Sequence, residues 1–251
     1  VSDPKARPPI LFVGDVHGNA DAVADIDIYA QNIGACAVVS VGDFGVLWRP
    51  DPLKRYFEKR GRQGKKKFPW ITCGGNHEHW VNWFEMAEGI PNDQLVELAP
   101  ACFFAQRGSV HKIGGRRIAF LGGAESTDKA FRTEGRDWWP QESPTRVDFE
   151  RFFDSLETGP EIVVTHDCPT EAGDHGHPDR ADQPTPKMLQ RCIELTGKRP
   201  RLWAYGHHHN TRVTEATDVR GTTTYACTGL EGQGYRLNDD NEITLFGRIH
   251  Q

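Results

Sequence analysis

The sequence predicts an α/β protein, and three observations carry that expectation. Short apolar runs recur along the first half, most of them ending at a glycine and followed by an amphipathic stretch. The second half is strand-rich and broken by turns, with Gly114-Gly115 as a hairpin signal. Hydrophobic residues make up 37% of the 251 positions and charged residues 26%, enough to bury a core and to argue against disorder.

Taken in order, Ile10-Leu11-Phe12-Val13 reads as a buried strand, followed by a glycine-flanked loop and a helix over 20–31. Residues 37–41 form the second strand. A helix over 51–59 has Pro52 in its first turn, where a missing N–H does no harm. The run 60–67 then reads as a basic, glycine-punctuated loop. A third strand at 69–73 precedes a short helix over 80–87. Strands follow at 102–104, 109–113 and 117–121, and then a long irregular stretch, 122–144. A helix over 145–156 presents Val147, Phe149, Phe152, Phe153 and Leu156 as a broad apolar face. A strand at 162–164, a loop over 168–185 and a helix over 187–195 come next. Strands at 202–205, 222–226 and 243–246 close the chain.

A net charge of −5 argues against a protein that coats nucleic acid by bulk charge. It leaves room for a small phosphate substrate, because a metal site brings its own positive charge. The start at Val1 rather than methionine suggests a processed or recombinant end. The segment 1–5 lacks the apolar core of a signal peptide, and no apolar run approaches a membrane span. The six cysteines are scattered without a C-x-x-C pair. A cytoplasmic protein with buried, reduced thiols is therefore expected, away from membranes.

Five islands carry the chemistry: Gly14-Asp15-Val16-His17-Gly18, Gly42-Asp43, Gly75-Asn76-His77-Glu78, Thr165-His166 and Gly206-His207-His208-His209. Their carboxylate, imidazole and amide groups are the donors that divalent metals of intermediate hardness prefer. Most sit where a predicted strand ends, as polar groups do in open α/β sheets. If the chain is still extended there, Asp15 and His17 leave on one side and reach one ion. The same parity pairs His207 with His209 and turns His208 away. Asp43 has oxygens enough to bridge two ions, and Asn76 offers a neutral carbonyl oxygen. His166 is a further strand-end ligand candidate, and His77 is available for acid–base work.

The ordered set G-D-x-H-G, G-D, G-N-H-E, T-H, G-H-x-H resembles the calcineurin-like metallophosphoesterase superfamily, from Gly14 to His209. The sequence has no internal repeat, linker or low-complexity segment, so a single domain over 1–251 is the simplest division. The resemblance implies a four-layer αββα sandwich of two mixed sheets, with a dimetal site at the strand ends. It implies that Asp15, His17 and His209 hold one divalent ion and Asn76, His166 and His207 the other, with Asp43 bridging. Mn²⁺ is the favoured ion, and Fe, Zn, Ni or Co also suit these donors. The resemblance further implies attack by a bridging hydroxide at phosphorus, without a covalent enzyme intermediate, and protonation of the leaving alkoxide by His77. Glu78 is a candidate to orient His77.

The Ser/Thr protein phosphatase branch carries G-D-x-V-D-R-G and R-G-N-H-E. Here the residues are Gly42-Asp43-Phe44-Gly45-Val46-Leu47 and Gly74-Gly75-Asn76-His77-Glu78, so both arginines of that branch are missing. Nor does the first island take the cysteine-bearing form typical of lariat-debranching enzymes. Gly122-Gly123-Ala124, Ser126, Asp128, Arg132 and Trp138-Trp139 make the chain similar to small bacterial and phage metallophosphoesterases. Those relatives imply phosphodiester hydrolysis on nucleotide-sized substrates, with 2′,3′-cyclic nucleotides as a favoured candidate. A nuclease, a phosphomonoesterase or protein phosphatase, and a non-catalytic scaffold are the alternatives.

The 122–144 stretch is too long for an idle turn. Arg132 can clamp a phosphate and Trp138 or Trp139 can stack on a base, although both indoles can instead pack on the second sheet. The pair His175 and His177 is expected at the rim of the cleft rather than on a third metal. The basic run 60–67 can face nucleic acid but reads more simply as a solvated loop.

Overall fold

The runs Ile10–Val13, Ala37–Ser40 and Trp70–Thr72 are buried at every position. Strands covered on both faces need such continuous apolar runs, and parallel strands usually are so covered. In the computed structural model, which describes residues 7–63, 68–173, 180–238 and 242–247, these runs open the chain as three parallel strands. The order is β1 (Ile10–Val13), α1 (Ala20–Asn32), β2 (Ala37–Ser40), α2 (Pro52–Arg62), β3 (Trp70–Thr72), α3 (Trp80–Ala87), β4 (Val96–Ala99) and β5 (Cys102–Phe104). It continues with β6 (Ser109–Ile113), β7 (Arg116–Leu121), α4 (Arg146–Glu157), β8 (Ile162–Thr165), α5 (Pro184–Leu195) and β9 (Leu202–Tyr205). Then come β10 (Arg212–Asp218), β11 (Gly221–Cys227), β12 (Gly234–Leu237) and β13 (Ile243–Phe246).

Among the described residues these strands form two mixed sheets, ordered β13-β12-β1-β2-β3-β5-β4 and β10-β11-β9-β8-β7-β6. Each has a parallel centre, β1-β2-β3-β5 in one and β11-β9-β8-β7 in the other, flanked by antiparallel strands. Alternation along each strand builds three apolar layers. Ile10, Phe12 and Val39 of the first sheet meet Ile118, Phe120 and Val164 of the second. Leu11, Val13 and Val38 point the other way, under Val23 and Ile26 of α1 and Phe57 of α2. Ala119, Val163 and Trp203 lie under Phe149 and Phe152 of α4 and Leu189 of α5. The result is helix, sheet, sheet, helix: the expected four-layer αββα sandwich.

Local chemistry fixes the helix ends. The Asn19 side chain accepts from the backbone of Asp21 and Ala22, and Asp51 accepts from Lys54 N ahead of Pro52. Thr145 and Asp148 close a reciprocal capping box at α4. One buried carboxylate ties three elements together. Asp27 of α1 accepts from Tyr56 and Arg60 of α2 and from the Trp70 indole of β3, at 2.7, 2.5 and 2.8 Å.

That contact corrects the reading of 60–67. Helix α2 runs on to Arg62, and Arg60 is a buried ion-pair partner rather than part of a solvated loop. Residues 64–67 lie outside the described residues, as do His175 and His177. Strands β4, β10 and β12 were not anticipated from the sequence, and Val147 is exposed rather than on the apolar face of α4. All six cysteines are free thiols, and all but Cys36 are buried. No helix among the described residues is long and apolar enough to cross a membrane.

Candidate metal centre

Each parallel strand of the two sheet centres that precedes an island delivers it from its carboxyl end. Asp15 follows β1, Asp43 follows β2, Asn76 and His77 follow β3, His166 follows β8, and His207 and His209 follow β9. The five islands meet at one end of the sandwich. Asp15, Asp43, Asn76, His166 and His207 form a buried floor, while His17, His77 and His209 stand at its more open edge. Ligand atoms of Asp15, His17, Asp43 and His209 lie within 4.8 Å of one another. His166 Nε2 sits 3.4 Å from Asp43 Oδ2 and 3.0 Å from Asn76 Oδ1. The His207 ring centroid is 5.0 Å from that of His166. All seven predicted ligands are therefore brought together, with His77 beside them.

They converge by a different backbone geometry from the one expected. Asp15, His17, Asp43, His207 and His209 all have positive φ, between 40° and 67°. The parity argument assumed extended chain, which would have paired alternate side chains. Instead each residue sits in the left-handed region, where a non-glycine residue is strained and a tight turn aims its side chain inward. Close approach needs glycine in two places. A Cβ on Gly42 would lie 2.5 Å from His166 Nδ1, and one on Gly75 would lie 2.1 Å from Asp43 Oδ1.

The electrostatics favour cations. Burial pushes the Asp15 carboxyl up to about 8; His166 pulls against this and the Asp43 charge adds to it. Burial also acts upward on Asp43, yet the His166 charge and hydrogen bond, helped by His77 and His17, hold it well below the usual range. His166 is raised to about 9, because Asp43 outweighs the desolvation that would lower it. Burial keeps His207 well below an ordinary imidazole, and lowers His17, His77 and His209. Asp15 Oδ2 and His207 Nε2 are buried without a hydrogen-bond partner among the described residues. Two close carboxylates and buried, unpartnered ligand atoms fit a place that divalent ions fill.

A supporting layer was only partly legible beforehand. Glu78 does not orient His77; its carboxylate accepts from the backbone N–H groups of Phe44, Gly45 and Gly75, at 2.6, 3.1 and 3.3 Å. It thus pins the second island to the third. Asn76 donates through Nδ2 to Ser126 Oγ at 3.0 Å, and Ser126 donates to Glu142 at 2.6 Å. That chain leaves the Asn76 carbonyl facing His166. His208, turned away from the centre, is buried and lies 3.2 Å from Asp167. Arg180 donates to both His208 Nδ1 and the His207 carbonyl, at 3.2 Å each. Ser126 stood out in the sequence, but nothing in its spacing joined it to Asn76, and Glu142 carried no local signal.

The 122–144 segment covers one side of the centre. Arg132 Nη2 lies against both ring nitrogens of His77, Nε2 and Nδ1, its Nε donates to Asp128 at 2.8 Å, and its Nη1 is buried without a partner among the described residues. Trp139 stacks on His79, ring centroids 4.3 Å apart, and joins the core with Trp80 and Trp83 of α3. Trp139 thus packs in the outer layer of the first sheet rather than on the second. Trp138 carries Lys129 above its ring, 4.1 Å from the centroid. A cavity of about 570 Å³ opens beside His77, lined by Trp48 and Trp139 but not by Trp138.

A family model described as calcineurin-like phosphoesterase matches residues 8–211. The chain is 27% identical over 197 residues to the lariat debranching enzyme of Schizosaccharomyces pombe, a match covering 69% of this chain and 40% of that protein. The chain thus aligns with well under half the length of that relative. Among solved structures it is similar in fold to TT1561 of Thermus thermophilus, with TM-score 0.60, 17% identity and coverage of 98% and 100% of the two chains. A dimetal phosphatase from Danio rerio gives TM-score 0.50 at 13% identity, covering 97% and 99%. With the family model spanning most of the sequence, the chain belongs to the calcineurin-like phosphoesterase family.

Proposed function

We propose that the chain is a dinuclear-metal phosphodiesterase, carried by one domain, that hydrolyses nucleotide-sized diesters, with 2′,3′-cyclic nucleotides the favoured substrates. The observation that carries this reading is the position of Asp43. Its Oδ2 lies 3.4 Å from His166, 3.8 Å from His17 and 3.9 Å from His77, in reach of both ligand groups. Asp15, His17 and His209 would hold one ion, and Asn76, His166 and His207 the other, with Asp43 shared. Mn²⁺ is favoured, and the same donors suit Fe, Zn, Ni or Co. When bound, the pair supplies Lewis acidity toward phosphoryl oxygens and a nucleophilic water for in-line attack.

The chain's own residues do the rest. Arg132 Nη2 touches both ring nitrogens of His77 and a guanidinium can only donate, so His77 must be neutral, with one nitrogen free to accept, while the two are paired. A phosphoryl oxygen is a better acceptor for Arg132, through a charge-assisted, two-pronged contact. Movement of Arg132 onto the phosphate would free the ring nitrogen it had occupied to take a proton from solvent water, and His77 would deliver a proton to the departing alkoxide. Glu78 and Ser126 keep the loops that present Asp43 and Asn76 in place.

The test is turnover of bis-p-nitrophenyl phosphate and 2′,3′-cyclic AMP by metal-loaded protein. Hydrolysis of both is expected, and no turnover with Mn²⁺, Fe, Co²⁺ or Ni²⁺ contradicts the reading. Similarity to a lariat debranching enzyme favours a second reading, in which the diester lies within RNA. Cleavage of a labelled branched or linear strand faster than the cyclic nucleotide would favour that reading instead.

A further inference from the structure

None of the seven proposed ligands lines the cavity of about 570 Å³; His77 alone belongs both to it and to the reacting centre. That volume lies in the range that encloses a nucleotide-sized ligand. If His77 gives its proton to the departing oxygen, whatever that oxygen carries must lie on the His77 side. The cavity is on that side, and its walls are aromatic. Trp48 stands in the turn after β2, its ring centroid 6.3 Å from that of His17. Trp139 lies against His79 and is held there by the core around α3. Asn82, Asp137, Arg49 and Arg136 add polar groups to the lining. Flat aromatic walls with polar partners suit a heteroaromatic base better than an alkyl or sugar group, because every base has a π-face and hydrogen-bonding edges.

We infer that this cavity is the leaving-group subsite and that it takes a nucleoside, its base against Trp48 and Trp139 and its ribose oxygen at His77. The inference rests on the phosphodiesterase reading for the direction of the reaction, though the cavity's preference for a base can be measured without turnover. Trp48 and Trp139 here act as specificity-determining residues. Trp138, under Lys129, has no part in this.

The test compares 2′,3′-cyclic AMP with ethylene cyclic phosphate, which has the same five-membered phosphodiester ring and no base. Wild-type kcat/KM is expected to favour the nucleotide by roughly tenfold or more, the scale of one base–aromatic stack. Trp48→Leu should collapse that ratio toward one, and Trp48→Phe, which keeps a ring, should restore most of it. Adenosine binding, read by quenching of tryptophan fluorescence in the absence of substrate, should weaken in Trp48→Leu and recover in Trp48→Phe. Equal use of the two cyclic phosphates by the wild type, or a ratio indifferent to Trp48, overturns the inference and leaves the phosphodiesterase reading standing. If neither diester is hydrolysed, the phosphodiesterase reading fails. Adenosine binding then decides alone: binding that depends on Trp48 keeps the cavity as a nucleoside site, and its absence overturns that too.

Discussion

The strand-end islands and the 122–144 segment meet at His77, yet they are built in opposite ways. The islands are a few residues long, begin at the carboxyl ends of buried parallel strands, and hold five of the proposed ligands at positive φ. Their geometry is imposed by backbone, by glycines that permit contact, and by the Glu78 carboxylate bridging two loops. Among its described contacts the long segment has short 3-10 turns and a single isolated bridge, Glu134 to Trp138, but no ladder. It is anchored mainly through side chains: Arg132 on His77, Trp139 on His79, and Ser126 on Asn76. The difference divides the labour. Rigid strand ends hold the groups that need fixed mutual distances, and a side-chain-anchored cover can vary what enters beside them.

Changing His77 to Ala probes where the two regions meet and should have the largest effect on rate. Metal content should stay near the wild-type level, since His77 is not among the proposed ligands. Hydrolysis of diesters with poor alkoxide leaving groups should fall by about 10²–10⁴, the usual worth of a positioned acid. Aryl esters, whose leaving groups need no proton, should fall far less. Equal losses on both substrates would show that His77 acts by structure rather than by proton transfer.

Ser126→Ala makes a smaller and more selective break. It removes the acceptor that fixes the Asn76 amide and leaves Glu142 without one partner. Loss of such a support costs roughly 10–100-fold in metal affinity. The affinity of only one of the two ions should fall, the one held by Asn76, His166 and His207. A variant that binds both ions as tightly as the wild type would mean that the 122–144 segment does not reach into the centre's rigidity.

The sequence revealed the islands because their physics is local. A strand buried on both faces must be a run of apolar residues, and the polar group at its end stands out. Asp15, His17, Asp43, Asn76, His166, His207 and His209 could all be named in this way, as could most of the parallel strands. Strand β10, by contrast, is exposed or half-buried at every position at a sheet edge and carries no apolar run. Strand β12 opens on a glycine whose Cβ would lie 1.8 Å from the Phe12 carbonyl, so its placement depends on a partner far away in sequence. The burial of Arg60 follows from Asp27, thirty-three positions earlier. Glu78 looked like a partner for its neighbour His77 and serves instead three backbone N–H groups. Each of these depends on long-range contacts that local pattern does not encode.

Calorimetric titration of the metal-free protein with Mn²⁺, repeated in buffers of different ionisation enthalpy, tests the central claim most directly. In the metal-free fold burial pushes the Asp15 carboxyl up to about 8, and the Asp43 charge raises His166 to about 9 against the desolvation that would lower it. Ligation needs both deprotonated, so affinity should rise with pH and loading should release protons to the buffer. The wild type should bind two ions, and Asp43→Asn should fail to hold the pair. One ion or none per chain, or two ions bound equally well by wild type and Asp43→Asn, would contradict a dinuclear centre organised around Asp43.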